Sequence, residues 1–299
     1  IPQSLAFDSQ DRILYALFAK NDPENCHTTG ISLMGIDTLT NKFVSDTHQF
    51  FTVSGMTYVS KGNLLLIEGS NKSAIPSILV LDASNAKQVS TINLPPYVTS
   101  NVFFGPILYN PVNGLIYFEW GAPGASNLIY EGSVANASSK SIVGSFNASS
   151  SDMPPSKLTL DQNSGLVYLA ESGNGGCAGV NHCTYYGGQN VTVIKDTQTI
   201  GSYRVSSNIN SSLGSVADDF TGSSGSVIFV ANSTENPPFF GNYAPFHHVS
   251  VINTTSGEVM QVLNFQQTVT YLYVDLAAPS GSSWLYVATL AAVYVVEVS

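Results

Sequence analysis

Hydrophobic residues along this chain fall in short runs separated by polar turns, and the runs recur at a near-constant stride. Residues 225–265 show the unit most clearly. Val227-Ile228-Phe229-Val230-Ala231 leads into a long polar insertion, then Val249-Ser250-Val251-Ile252, the turn Thr254-Thr255-Ser256-Gly257, and an apolar segment at 259–265. β-Branched and aromatic runs bounded by Gly, Ser, Asn and Pro predict an antiparallel meander. A further strand in front, at 215–220, brings the unit to four strands.

Equivalent central runs begin at Ile13, Leu64, Leu115, Leu166, Val227 and Leu285. Polar turns precede them, such as Asp8-Ser9-Gln10-Asp11, Lys61-Gly62-Asn63 and Asp161-Gln162-Asn163-Ser164-Gly165. A second strand follows each central run, and an outer strand follows in all but the last repeat. No stretch carries a useful helical period. A repeat of this length with four strands selects a propeller over a β-helix, whose rungs are much shorter. The expectation is therefore an all-β fold: a six-bladed β-propeller of four-stranded antiparallel blades in a single domain, 1–299. Its blades fall near 3–50, 53–94, 104–147, 155–205, 214–265 and 269–299. The last blade lacks its outer strand, so either it simply has three strands or its apolar edge at Ala292, Val293, Tyr294, Val295 and Val296 is covered by residues beyond either end or by a partner's strand.

The segment Ser224-Gly225-Ser226-Val227-Ile228-Phe229-Val230-Ala231-Asn232, with Val249-Ser250-Val251-Ile252-Asn253-Thr254-Thr255-Ser256-Gly257-Glu258-Val259, resembles the repeat of YVTN-type propellers. Weaker copies stand at Gly165-Leu166-Val167-Tyr168-Leu169-Ala170 and Ser77-Ile78-Leu79-Val80-Leu81-Asp82. The resemblance covers essentially the whole chain and implies a surface-layer or secreted binding protein. It is a blade pattern and carries no catalytic motif.

Composition narrows the function. Charged residues are only 10% of the chain, so Ser, Thr, Asn, Gly and Tyr must fill the solvent-facing positions, as suits an extracellular or cell-surface protein. A net charge of −10 argues against nucleic acid, which needs clustered cations. Arg12 and Arg204 are the only arginines, which removes multi-guanidinium anion clamps. No apolar run approaches the roughly 18 residues of a membrane span. Sequons at Asn71, Asn136, Asn147, Asn190, Asn210, Asn232 and Asn253 fall mostly at predicted loops or strand ends, where glycans can be accommodated.

The long insertions all join the second and third strands of a blade, so they crowd one face. Cys177 and Cys183 are spaced to close a small disulfide loop, leaving Cys26 as a buried or free thiol. His27, His182, His247 and His248 lie in the same insertions. They read first as solvated loop residues, because His27 adjoins Cys26 and His182 adjoins Cys183, and neighbours rarely ligate one ion. No cofactor is expected, with zinc or copper the candidate should the imidazoles converge. Phe239, Phe240, Tyr243 and Phe246 either bind a sugar or protein partner or plug their own loop.

Enzyme signatures mostly fail: there is no nucleophile elbow and no phosphate loop. Carboxylate chemistry stays open through Glu68, Glu119, Glu171, Asp218, Asp219 and Asp275, which lie near strand ends. The reading is a secreted or cell-surface, non-catalytic propeller. It acts in a surface assembly or adhesion, with other surface proteins or copies of itself, or as a protein- or glycan-binding module. The alternative is a propeller hydrolase, lyase or metal-dependent oxidoreductase.

Overall fold

The computed structural model describes residues 2–8, 10–21, 28–46, 52–70, 76–94, 103–123, 128–146, 157–170, 174–177, 183–186, 190–205, 212–219, 227–233, 248–265, 275–277, 284–288 and 293–297. These residues form strands and turns, with no helix among them. The chain divides into two compact units, Ile1–Ser145 and Phe146–Ser299.

The first unit holds three four-stranded antiparallel meanders. They are β1 (Pro2–Asp8), β2 (Ile13–Asn21), β3 (Thr28–Asp37) and β4 (Lys42–Asp46); then β5 (Thr52–Val59), β6 (Leu64–Ser70), β7 (Pro76–Asp82) and β8 (Gln88–Asn93); then β9 (Phe103–Asn110), β10 (Leu115–Pro123), β11 (Leu128–Asn136) and β12 (Ser141–Phe146). The second unit opens with β13 (Lys157–Leu160) and β14 (Val167–Ala170). A separate hairpin follows, β15 (Asn174–Cys177) with β16 (Cys183–Tyr186), before β17 (Asn190–Lys195) and β18 (Gln198–Arg204) complete the sheet β13-β14-β17-β18. Next come β19 (Ser212–Asp219), β20 (Val227–Ser233), β21 (His248–Asn253) and β22 (Val259–Asn264). A three-stranded sheet of β23 (Asp275–Ala277), β24 (Trp284–Ala288) and β25 (Val293–Glu297) ends the series.

Two features differ from the expectation. The insertion between β14 and β17 is not all loop: it contains the β15–β16 hairpin, in which Gly175 and Gly176 pair with Tyr185 and Thr184 in an antiparallel register. His248 is the first residue of β21 rather than part of the insertion before it.

One local device closes both kinds of hairpin. An Asp or Asn ends the strand and its side-chain oxygen accepts the N–H groups two and three residues on, the Asx turn. Asp37 accepts from Leu39 (2.8 Å) and Thr40 (3.1 Å), and Asn253 accepts from Thr255 (2.8 Å) and Ser256 (3.1 Å). Asn136 does the same with Ser138 and Ser139, and Asp161 with Asn163 and Ser164. The chain then reverses through a left-handed residue: Asn41, Ala86, Lys140, Asp196 and Gly257 between third and outer strands, and Arg12, Asn63, Gly114 and Gly165 before central strands.

Alternate residues of a strand point to opposite faces. Tyr15 and Leu17 of β2 therefore pack against Met56, Leu65 and Ile67 of the second sheet. Leu66 of β6 turns the other way, onto Ile107, Ile116 and Phe118 of the third. In the second unit Tyr168, Val191 and Val193 meet Ile228, Val230 and Ile252, while Phe229, Val249 and Val251 meet Leu285 and Val287. Central strands are buried on both faces, which is why they read as unbroken apolar runs rather than alternating ones. Truncating Tyr117 or Phe118, both fully buried, would cost about 3–5 kcal/mol.

Polar bonds tie neighbouring sheets of each unit. The Tyr15 hydroxyl donates to the Ala83 carbonyl, Gln10 Nε2 to the Ser60 carbonyl (2.7 Å), and Asn63 Nδ2 to Asp11 Oδ2 (2.8 Å). In the second unit the Tyr203 hydroxyl donates to the Thr254 carbonyl (2.7 Å).

Candidate functional site

Two acids interrupt the apolar central strands of the first unit. Glu68 follows Leu65-Leu66-Ile67 in β6, and Glu119 follows Ile116-Tyr117-Phe118 in β10, at the same position of consecutive repeats. The equivalent residues Leu17, Ala170 and Ala231 are apolar and buried. Both glutamates are 0% exposed, and no donor among the described residues reaches any of their four carboxyl oxygens. A buried polar group without a partner costs about 1–3 kcal/mol even when neutral. Such a group marks strain or function.

Burial raises the Glu68 pKa well above the ordinary carboxylate value, and the charge of Glu119 raises it further. Burial does the same to Glu119. Each acid therefore favours its neutral form where it is buried.

Backbone bulges shape its surroundings. The β5–β6 register shifts between Val53 and Gly55, and Gly55 then pairs with Glu68. The β9–β10 register shifts opposite Glu119, between Phe118 and Trp120. A side chain at Gly55 would put its Cβ 3.0 Å from Ile107 Cγ2 and 3.7 Å from the Gly105 carbonyl oxygen. At Gly105 a Cβ would lie 2.9 Å from Glu119 Cβ and 3.0 Å from Glu119 Oε2. The two inner strands therefore meet at paired glycines, and the Glu119 carboxyl lies against the backbone that the second glycine leaves bare. Sequence reasoning named Glu68 and Glu119 as strand-end carboxylates but did not bring them together. The available signal was an acid recurring at one slot of an otherwise apolar strand.

The remaining expected site residues distribute as follows. Cys177 and Cys183 are directly opposed in the β15–β16 register. His248 Nδ1 hydrogen-bonds Asn264 Oδ1 across β21–β22. His27, His182, His247, Phe239, Phe240, Tyr243, Phe246 and Cys26 lie outside the described residues, as do Glu171, Asn71, Asn147 and Asn210. Asn136 and Asn253 are Asx-turn acceptors, equivalent to Asp37 and Asp82 in other repeats, so turn chemistry by itself accounts for an Asn there. Asn190 starts β17 and Asn232 lies in β20. Asp218 and Asp219 end β19, and Asp275 begins β23. Ala292 precedes the described part of the last edge, which is β25. Among the described residues no three His, Cys, Asp or Glu side chains gather as a metal cluster, and no helix is long and apolar enough to cross a membrane.

No protein-family model matches the chain. No curated protein matches it either. Solved structures do. The Kuenenia stuttgartiensis hydrazine synthase aligns over 99% of this chain and 76% of its own, with 16% identity and a TM-score of 0.64. The Myceliophteria thermophila Cps50 (Swd1) β-propeller domain aligns over 100% of this chain and 84% of its own, with 11% identity and a TM-score of 0.64. A chain of the mitotic checkpoint complex aligns over 96% of this chain and 69% of its own, with 10% identity and a TM-score of 0.61. At these identities the likeness speaks for architecture alone: the fold is an all-β propeller built of antiparallel meanders.

Proposed function

We propose that this chain is a non-catalytic protein-interaction scaffold of the cell surface or extracellular space, a six-bladed propeller of YVTN type that joins copies of itself or other surface proteins. The outer edges of the sheets carry this reading. Each sheet ends in a strand, β4, β8, β12, β18, β22 or β25, that presents an exposed apolar side chain. These are Phe43 (68% exposed), Val89, Val143, Ile200, Met260 (57%) with Val262, and Val295. Such edges are normally blunted with Lys, Pro or a covering loop. Here the outer strands hold no proline, and their only charges are Lys42, Asp46, Arg204 and Glu297, at strand ends. β22, Val-Met-Gln-Val-Leu-Asn, has no charge at all. Open apolar edges suit strand addition.

Size-exclusion chromatography with light scattering tests the assembly. The native protein should run as a large species, and Met260→Lys with Val262→Lys should reduce it. A wild-type monomer at every concentration overturns the reading.

A second reading, a glycan- or protein-binding module at the insertion face, is supported by the β15–β16 hairpin between β14 and β17, which carries Tyr185 and Tyr186. In either case Cys177 and Cys183 form a disulfide. Directly opposed antiparallel residues have Cα atoms about 4.5–5.5 Å apart, inside the disulfide range.

A further inference from the structure

We propose that the first sheet of one copy takes the last sheet of a second copy on its exposed apolar face, joining chains head to tail. The inference rests on the self-assembly proposed above, but places the contact on sheet faces rather than strand edges.

The stacking of the repeats carries it. Within each unit a sheet packs on the next through alternate residues, so every sheet has a preceding face and a following face. Residues paired across the ladder share a face. In the second sheet Tyr58, Leu65 and Leu81 lie in register across β5, β6 and β7. Leu65 and Leu81 are fully buried, clustered with Tyr15 and Leu17 of the first sheet. The third sheet buries the row Tyr109, Ile116 and Ala135 against the second, and the fifth buries Ile228 and Ile252 against the fourth.

The first sheet carries the same row. Phe7 pairs with Leu14, Leu14 with Ile36, and Ile36 with Phe43, so one apolar line crosses all four strands. Ala6 packs toward the second sheet, so its neighbours Leu5 and Phe7 face the other way. Leu5 is 58% and Phe7 48% exposed, Phe43 is exposed too, and Leu14 and Ile36 are half-buried.

The last sheet has the opposite remainder. Tyr294 and Val296 of β25 pack on the fifth sheet, so Val295 between them faces onward, and it is 54% exposed. Its equivalent in the fifth sheet, Val251, is buried in a cluster with Leu285 and Val287 of the last sheet. An exposed preceding face and an exposed following face are the two halves of the contact repeated within each unit. A second copy supplies what each half meets elsewhere in the fold. The contact is heterologous, so it builds a ring or an open filament, as suits a surface assembly.

Size-exclusion chromatography with light scattering tests this in a Met260→Lys, Val262→Lys background, which takes away the apolar edge of β22. That background should still self-associate. Adding Phe7→Lys should disperse it to monomer, and so should adding Val295→Lys instead. An equal mixture of the two variants should form a dimer, because one keeps its last-sheet face and the other its first-sheet face. Both positions are exposed, so thermal melting should match the background. A lowered melting temperature in both variants would set the two faces against each other within one chain and overturn the proposal. So would a mixture that stays monomeric, a Val295→Lys protein that dimerises alone, or association untouched by either substitution. A wild type that assembles while the background is monomeric keeps the edge reading and overturns this one. A wild type monomeric at every concentration overturns both.

Discussion

The Glu119 side chain occupies space that any residue larger than glycine at position 105 would need: a Cβ there would sit 2.9 Å from Glu119 Cβ and 3.0 Å from Oε2. Gly105→Ala should therefore destabilise by roughly 1–3 kcal/mol, as overpacking does. Adding Glu119→Ala should recover part of that loss. Urea denaturation of the double-mutant cycle reads the coupling, and purely additive effects would show that the two positions do not interfere.

Gly257 and Gly114 separate backbone strain from crowding. Both are left-handed, with φ of 74° and 72°. A Cβ at Gly257 would lie 2.9 Å from Tyr203 Cδ1, whereas at Gly114 nothing stands within 4 Å. Gly114→Ala should cost about 1 kcal/mol, the backbone penalty alone. Gly257→Ala should cost about 2–4 kcal/mol, because the Tyr203 ring, held by its bond to Thr254, must also move. Equal losses in chemical denaturation would sink the distinction.

Stability should fall as pH rises through the range in which the buried glutamates ionise. Both glutamates titrate above the ordinary range in the folded chain, Glu68 through burial and then the Glu119 charge, Glu119 through burial. Unfolded, each titrates near about 4.3. Between those values the folded state holds more protons, so the stabilisation is complete below about pH 4 and is lost as pH rises through the folded pKa. Asp37 and Asp82 act in the opposite sense. Backbone N–H bonds from Leu39 and Thr40 lower Asp37, and the Ser84 hydroxyl and N–H lower Asp82, so their contribution exists above about pH 4 and fades on acidification. Urea midpoints across mildly acidic to alkaline pH should decline for the wild type and flatten in the Glu68→Gln, Glu119→Gln double variant. A wild-type midpoint independent of pH would rule out the buried acids.

Asp161 is a buried Asx-turn acid that accepts from Asn163 N, Ser164 N and Ser164 Oγ. Asp161→Ala leaves those donors without an acceptor and should cost about 1–3 kcal/mol. Asp161→Asn should cost under about 1 kcal/mol, since Asn110 and Asn136 do the same work elsewhere. Similar losses for both variants would refute the turn role.

The thiols give a direct count. The chain has three cysteines, and with Cys177 bonded to Cys183 the unfolded, unreduced protein should show one reactive thiol. Peptide mapping should identify it as Cys26. Three reactive thiols without reduction would exclude the disulfide.

The strands and their turns were legible because their causes are local. An apolar run of β-branched residues, an Asp or Asn, a few polar residues and a left-handed Gly or Asn specify a hairpin within a dozen residues, as in Asn253 to Gly257. Repetition of that unit announced the propeller. The β15–β16 hairpin was missed because two glycines and two tyrosines give no alternating signal, and only the pairing of Gly175 with Tyr185 orders them. Glu68 and Glu119 were visible as acids, yet nothing local says that both are buried without a hydrogen-bond partner among the described residues. Their positions lie a full repeat apart, and what encloses them is the stacking of one sheet on the next and the glycines that let the inner strands touch. The sequence alone determined the repeating sheets, their order and their turns, because each depends on neighbours along the chain. Only the tertiary structure decided that two carboxyls end up buried, because burial depends on residues that meet solely when the sheets pack.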